Sequence, residues 1–194
     1  MPEFETEDVS KERVALGNGV EVPTSWSVVV SDEPGVPGTI RIEVVHDTRL
    51  NRAVAAEVRV LRQGGGDEVT SLTLREVRVQ HALQVSGLLV STVSEPGHAV
   101  VSGAGYIQRM QNREGRDLAA SVIDATRTYV LAAAINLPPL KAVADGLGVS
   151  QSTATRLMNR ARVEGLAPGV SLPDLGATGP IAGPAAPNGP GLGR

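Results

Sequence analysis

The side chains with the clearest chemical pattern lie between residues 141 and 162, around the stretch ADGLGVSQSTATRL (144–157). Short hydrogen-bonding side chains come first in this segment, and several Arg residues follow. Amide, hydroxyl and guanidinium groups are the groups that bind base edges and phosphates of nucleic acids. The candidate binding residues are Lys141, Gln151, Ser152, Thr153, Thr155, Arg156, Asn159, Arg160 and Arg162.

The residues around this set predict two helices that meet at a tight bend. Gly148 lies where the first helix would end, and a left-handed backbone costs glycine least. Ser150 can cap the second helix, at about 151–164, by accepting a hydrogen bond from a backbone N–H of its first turn. Ala144 is small enough to let the second helix pass closely, and Val149 fills the angle between the helices.

The outward face of the second helix is expected to suit the major groove of DNA, which admits the N-terminal end of such a helix. Gln151 can pair with adenine through two hydrogen bonds, and Arg156 can bind guanine or a phosphate. Ser152 and Thr153 lie near the helix N-terminus, where free N–H groups favour a phosphate oxygen. Thr155 and Asn159 complete this face, and the expected phosphate contacts are Lys141, Arg160 and Arg162.

An ordinary αα-hairpin inside a core is the alternative, but it does not explain the small residue, the apolar residue after Gly148 and the polar face together. Residues 140–159 resemble the helix-turn-helix of phage repressor and Cro-type proteins, most closely in LGVSQS. Residues 124–167 are also similar to a C-terminal module of uncharacterised actinobacterial and actinophage proteins, which carries a motif like VADGLGVSQSTA. These resemblances imply binding to double-stranded DNA.

Charge is distributed unevenly along the chain. The net charge is −3, yet residues 106–166 carry eight Lys and Arg against five Asp and Glu, whereas residues 1–105 carry nine against fifteen. Chance scatter of surface charge is the plain interpretation, and a basic C-terminal segment that meets an anionic partner is the other.

The residue types and motifs of the chain argue against several other kinds of chemistry. The chain has no Cys, so disulfides and thiol catalysis are excluded, and its three His are scattered without metal-binding spacing. Its glycine-rich pieces do not have the spacing of a phosphate-binding loop, and no nucleophile elbow is present. The sequence therefore predicts no enzyme, no metal and no cofactor.

The predicted fold is α+β. Strict alternation of apolar and polar residues in TSWSVVVS, TIRIEVV and AAEVRVLR predicts an antiparallel sheet within residues 24–62, with Ala56, Val58 and Val60 on the packed face of the last strand. A short helix or strand near 72–77 and a helix at about 79–92 follow, and the helix is expected to cover the sheet. A helical stripe of Leu118, Val122, Ala125, Tyr129 and Ala132 begins the C-terminal helices.

Five segments are expected along the chain. They are a flexible acidic N-terminus (1–13), a small α+β domain (14–93), a linker (94–115), a three-helix domain (116–166) and a disordered tail (167–194). The tail has six Pro and seven Gly in 28 residues, a composition typical of disorder. The N-terminus is not a signal peptide and no apolar stretch can span a membrane, so a cytoplasmic location is expected.

The function expected from these features is that of a sequence-specific double-stranded DNA-binding protein, a transcriptional regulator that acts as a homodimer. The N-terminal domain would dimerise the protein or bind a protein partner. The alternative is a phage or mobile-element assembly or packaging adaptor that contacts DNA as an oligomer.

Overall fold

The computed structural model describes residues 1–113, 115 and 117–167. Over these residues the protein is α+β, with two antiparallel four-stranded sheets and six helices, which confirms the predicted class. The strands are β1 Glu3–Glu7, β2 Arg13–Gly17, β3 Val20–Pro23, β4 Ser25–Ser31, β5 Gly38–Asp47, β6 Arg52–Arg62, β7 Thr92–Val93 and β8 Val101–Ser102. The helices are α1 Ser71–Glu76, α2 Val79–Val90, α3 Gly103–Gln111, α4 Leu118–Ala134, α5 Pro139–Leu147 and α6 Gln151–Val163. Apart from Ala167, the predicted disordered tail lies outside the described residues.

The first sheet has the order β1-β4-β5-β6, and α2 packs against it. The alternation predicted for β4 and β5 is confirmed, because their inward side chains are buried: Trp26, Val28, Val30, Ile40, Ile42 and Val44. Trp26 Nε1 donates a hydrogen bond of 3.0 Å to Ser86 Oγ of α2. The helix predicted at about 79–92 is therefore confirmed as α2, and the short element near 72–77 is the helix α1.

The acidic N-terminus is a strand rather than a flexible segment. Strand β1 pairs with β4 over its whole length, from Glu3 opposite Ser31 to Glu7 opposite Ser27. Phe4 packs edge-on against His81 of α2, with the ring centroids 5.3 Å apart. The prediction for residues 1–13 was wrong because one residue, Phe4, anchors the strand. The exposed glutamates on both sides of Phe4 make the sequence resemble a solvated tail.

Strand β6 departs from the predicted alternation. Its register against β5 shifts beside Val44, and Ala56 is left as an extra residue between the paired residues Ala55 and Glu57. Such a bulge redirects side chains between the two faces of a strand. Ala56 is exposed as a result, and Val58 is 41 % exposed on this edge strand. The prediction is thus wrong for Ala56, whereas Val58 lies opposite the buried Ile42 and points to the predicted face without being covered.

The second sheet has the order β2-β3-β7-β8 and contains part of the predicted linker. Residues 94–115 do not form a linker, because they contribute β8 and the helix α3. Tyr106 and Met110 of α3 are both 0 % exposed and pack in one cluster with Val20 and Leu131. Their spacing of four residues places them on one helix face, and this apolar pair docks α3 onto the sheet and α4.

Helix α4 carries the predicted apolar stripe and contacts both sheets as well as the two helices that follow it. Val122 and Ala125 are 0 % exposed and Ala132 is 2 % exposed. Leu118 is 53 % exposed, contrary to the prediction, because the start of the helix at residues 117–119 faces solvent. Within the described residues, no helix combines the length and the apolar character needed to cross a membrane.

Arg127 of α4 joins three parts of the molecule. Its side chain is 10 % exposed, and its Nη1 lies 3.2 Å from Glu95 Oε1 and 3.9 Å from Asp124 Oδ1. Its Nε donates a 2.9 Å hydrogen bond to the carbonyl oxygen of Asn18, in the turn between β2 and β3. A buried guanidinium always carries its charge, so these acceptors offset the desolvation cost of burying it.

Two further arginines complete this ionic cluster around the buried carboxylates. Arg109 Nη1 lies 2.8 Å from Glu95 Oε2, and Arg113 Nη1 lies 3.3 Å from Asp124 Oδ2. The Tyr106 hydroxyl donates to Asp124 Oδ1 at 3.3 Å. Burial raises the pKa of Tyr106, so the phenol stays a neutral donor.

Replacing Arg127 should lower the free energy of unfolding of the protein. The Arg127→Leu variant leaves Glu95 and Asp124 buried with fewer partners, and we expect a loss of about 3 kcal/mol in the free energy of unfolding. Chemical denaturation measures this loss. Lys141→Ala is the control, because it breaks an exposed pair with Asp145, and a loss below about 0.5 kcal/mol is expected. Equal losses in the two variants would contradict the role assigned to Arg127.

The stability of the protein should fall in mild acid because of His46. This residue of β5 is 8 % exposed, and neither ring nitrogen has a hydrogen-bond partner among the described residues. Burial lowers the pKa of His46, against a smaller opposite effect of Asp47. The folded state thus resists protonation, so its stability is complete above the unfolded-state pKa of about 6.5 and is lost as the pH falls below that value.

The measurement is the thermal unfolding midpoint at pH 7.5 and at pH 5.5. His46→Leu should shrink the difference between the two pH values, because leucine binds no proton in either state. His98→Gln removes an exposed histidine and should leave the difference unchanged. A wild-type midpoint that is the same at both pH values would refute the expectation.

Candidate nucleic-acid interface

Helix α5 begins at Pro139 and ends at Leu147, directly before Gly148, where the sequence predicts the bend. Pro139 is the first helical residue, where its missing N–H is no loss. Gly148 follows the last turn with φ 67° and ψ 35°, the left-handed region. The Val149 N–H donates a 3.0 Å hydrogen bond to the carbonyl oxygen of Ala144 and closes the turn.

Helix α6 begins directly after this turn because Ser150 caps it. Ser150 Oγ accepts a hydrogen bond of 3.2 Å from the backbone N–H of Thr153. The same oxygen lies 2.9 Å from Ser152 Oγ and 3.0 Å from Thr153 Oγ1. The hydroxyl groups of the first turn are therefore linked to one another at the helix N-terminus, where the partial positive charge of the helix dipole is located.

The inner face of α6 is apolar and fully packed. Ala154, Met158 and Ala161 are 0 % exposed, and Leu157 is 7 % exposed. Together with apolar residues of α4 and α5 they form one cluster of buried side chains: Val122, Ala125, Val143, Ala144 and Leu147. Helices α4, α5 and α6 therefore share one core, which leaves the other face of α6 toward solvent.

The outer face of α6 holds most of the predicted binding residues. Gln151, Ser152, Arg156, Arg160 and Arg162 are exposed, and Thr153 and Asn159 are half-buried. Ser152, Arg156 and Asn159 follow each other at helical spacing and lie on one face. Lys141 is exposed on the neighbouring helix α5.

Thr155 is the predicted site residue that lies on the packed side of α6. It is 8 % exposed, and its hydroxyl donates a 2.8 Å hydrogen bond to the carbonyl oxygen of Gln151 one turn earlier. A threonine hydroxyl within a helix commonly bonds back in this way, which satisfies the side chain internally. The position next to Ala154 thus belongs to the packed face, although its residue type is polar.

The cations of this surface differ in how they are paired. Lys141 Nζ lies 2.5 Å from Asp145, and Arg160 Nε lies 2.6 Å from Glu164, both at a spacing of four residues. Arg156 Nη2 lies 3.5 Å from Thr153 Oγ1, whereas Arg162 makes no ion pair with the described residues. Exposed pairs of this kind are worth little, so a phosphate can replace the carboxylate at small cost.

The end of α6 is fixed by a residue that the sequence analysis did not assign to the site. Asn18 Nδ2 donates a 2.9 Å hydrogen bond to the carbonyl oxygen of Leu166, just beyond α6. The Leu166 N–H in turn donates to Ala161 at 2.8 Å. The sequence signals a turn at Asn18-Gly19, but it carries no sign that this turn meets the C-terminal helix.

Comparisons of the chain with protein-family models, with curated proteins and with solved structures find no match. The resemblances described above therefore remain predictions.

The bend between α5 and α6 should depend on Gly148 and not on the nearby Gly146. Gly148→Ala forces a side chain into the left-handed region and should cost about 1 kcal/mol of unfolding free energy. Gly146→Ala is the matched control: it is helical, its added Cβ would lie 3.7 Å from Thr128 Cγ2, and it should keep or raise stability. Denaturant midpoints compare the two. A Gly146→Ala variant less stable than Gly148→Ala would contradict this view of the bend.

Proposed function

We propose that the protein is a sequence-specific double-stranded DNA-binding protein, a transcriptional regulator, and that α5 and α6 act as a helix-turn-helix. The observation that carries the proposal is the division of α6 into a packed face and an exposed face that starts with Gln151 and Ser152 and continues with arginines. A helix of this kind, supported from behind and open at its N-terminal end, fits the major groove.

The proposed contacts divide into base reading and phosphate binding. Gln151 reads adenine, and Arg156 binds guanine or an adjacent phosphate. Ser152 and Thr153, with the N–H groups of the first turn, hold a phosphate oxygen. Asn159 supplements the base-reading side. Thr155 takes no direct part, because its hydroxyl is already bonded to the backbone of α6.

Phosphate binding is assigned to Lys141, Arg160 and Arg162. The first two are exposed and paired only with exposed carboxylates. Each would exchange its carboxylate for a phosphate of the duplex, whose charge is fixed along the helix. These contacts position α6 without reading sequence, so their loss weakens binding to every DNA sequence alike.

The proposal includes a homodimer on a site with two half-sites. One helix-turn-helix buries little surface on DNA, whereas two copies related by a two-fold axis read half-sites about 34 Å apart. A large closed oligomer would instead favour the assembly or packaging adaptor named above.

Selection of bound sequences from a random duplex library, with the full chain, tests the proposal. We expect an enriched motif with two-fold symmetry. On that motif, Arg156→Ala should weaken binding at least fivefold by fluorescence anisotropy, the lower end of about 1–3 kcal/mol for a base contact. Arg160→Ala should weaken specific and random duplexes equally and lower the slope of log affinity against log salt by about 1.

Arg49→Ala is the control for these variants, because it removes an exposed Arg in the turn between β5 and β6. It should leave the affinity within twofold of wild type. If the library returns no enriched sequence, or if Arg49→Ala and Arg156→Ala weaken binding equally, α6 is not a DNA-reading helix.

A further inference from the structure

Strand β6 forms an open edge of the first sheet. It runs for 11 residues, Arg52–Arg62, and pairs with β5 on one side. On its other side no strand of the described part of the chain is hydrogen-bonded to it. Its middle is the exposed segment Ala56–Arg59, in which Val58 is 41 % exposed. At the start of the strand the Ala53 carbonyl oxygen accepts a 2.7 Å hydrogen bond from Asn136 Nδ2. The rest of the edge, which pairs with no strand of the described residues, is a surface that another strand can extend.

The charges on β6 are placed unfavourably within one copy of the chain. In the register with β5, Arg59 lies opposite Arg41, and Glu57 lies opposite Glu43. Like charges directly opposite each other on neighbouring strands destabilise a sheet. Arg41 is compensated by Glu7, Asp8 and Glu43, because it forms an ion pair with each of them.

Arg59 and Glu57 have much less compensation. The only ion pair of Arg59 among the described residues is the one with Glu57 on its own strand. The two side chains are 57 % and 46 % exposed and lie on the outer face of the sheet, opposite Arg41 and Glu43. On β5 the residue directly opposite each of them has the same sign, and on the other side of β6 no strand of the described residues supplies an opposite charge.

We propose that β6 pairs in antiparallel fashion with β6 of a second copy, about a two-fold axis at Val58. This register places Glu57 opposite Arg59 of the partner subunit, and Arg59 opposite Glu57 of the partner subunit. Val58 then covers Val58 of the partner subunit. Both like-charge oppositions of the single chain gain a neighbour of opposite sign, and an exposed apolar side chain becomes covered.

The charges select this register over its neighbours. An antiparallel pair about a two-fold axis keeps the same faces together, so the axis passes through a residue and not between two residues. Centring on Glu57 opposes two carboxylates, and centring on Arg59 opposes two guanidinium groups. Centring on Val58 is the register in which both kinds of charge meet their opposites.

The bulge at Ala56 limits the length of the pairing, and the two-fold symmetry limits the assembly to two copies. A bulge twists a strand away from a straight edge, so the regular part of the pair is short. A two-fold pair consumes both copies of β6 and leaves β1 at each outer end, a short strand with three glutamates. The joined sheet therefore has eight strands and does not grow into a fibre.

The pairing does not require DNA, so it is tested separately from the proposed DNA binding.

Sedimentation equilibrium of the full chain without DNA tests the pairing by charge exchange. Wild type should form a dimer, and Glu57→Arg or Arg59→Glu should each weaken dimerisation about tenfold, because two opposite-charge contacts become repulsive. The double variant Glu57→Arg/Arg59→Glu should restore the wild-type dimer. Glu21→Arg, an equal charge change on the exposed side of β3, should have no effect. A monomeric wild type, or a double variant as weak as the single ones, would overturn the proposal.

A disulfide at the axis provides a second measurement, because the chain has no Cys of its own. Val58→Cys should cross-link readily under mild oxidation, since paired antiparallel residues lie about 4.5–5.5 Å apart between Cα atoms. Leu61→Cys is the matched control on the same strand. It lies three residues from the axis, so the two copies are separated by about 20 Å and should not cross-link. Equal cross-linking of the two variants would overturn the proposed register, because it would mean that Leu61 also meets Leu61 of the partner subunit.

Discussion

The position of the C-terminal helices against the second sheet depends on the burial of the Arg127 guanidinium. This group cannot lose its proton, so it must keep carboxylate and carbonyl partners wherever it lies. Its partners come from the turn after β2, from the segment before β8 and from α4 itself. Helix α4 is therefore held in one position against the second sheet, and a rotation of the helix would leave both the cation and its carboxylates without compensation.

Helix α4 also positions the surface proposed to bind DNA, because α6 packs on it. One side of α4 carries Arg127 and Asp124, and the other side carries Val122 and Ala125, which pack beneath α6. The bend at Gly148 sets the angle between α5 and α6, while the α4 core sets which side of α6 faces solvent. The exposed row of Ser152, Arg156 and Asn159 faces solvent because the opposite face of α6 packs on α4 and α5.

Much of this arrangement follows from local sequence patterns, and the exceptions have physical causes. Strands β4 and β5 alternate strictly because one face is packed, and the bend at Gly148 is marked by a glycine followed by a capping serine. The burial of Thr155 could not be predicted, because residue type does not reveal a hydroxyl that bonds to its own helix. Helix α3 was missed because two residues, Tyr106 and Met110, anchor it within a glycine-rich segment. The bulge in β6 leaves no local signature, since it is set by pairing with β5.

The contact between Asn18 and Leu166 joins residues that are 148 positions apart in sequence. Chains fold as they leave the ribosome, and the N-terminal part emerges first. The β2–β3 hairpin is thus synthesised early, yet its turn bonds to Arg127 and to Leu166, which are synthesised more than 100 residues later. Contacts between distant residues slow folding, because the chain between them must be ordered beforehand. The second sheet consequently keeps one side uncovered until α4 has left the exit tunnel, whereas α2 can already cover the first sheet.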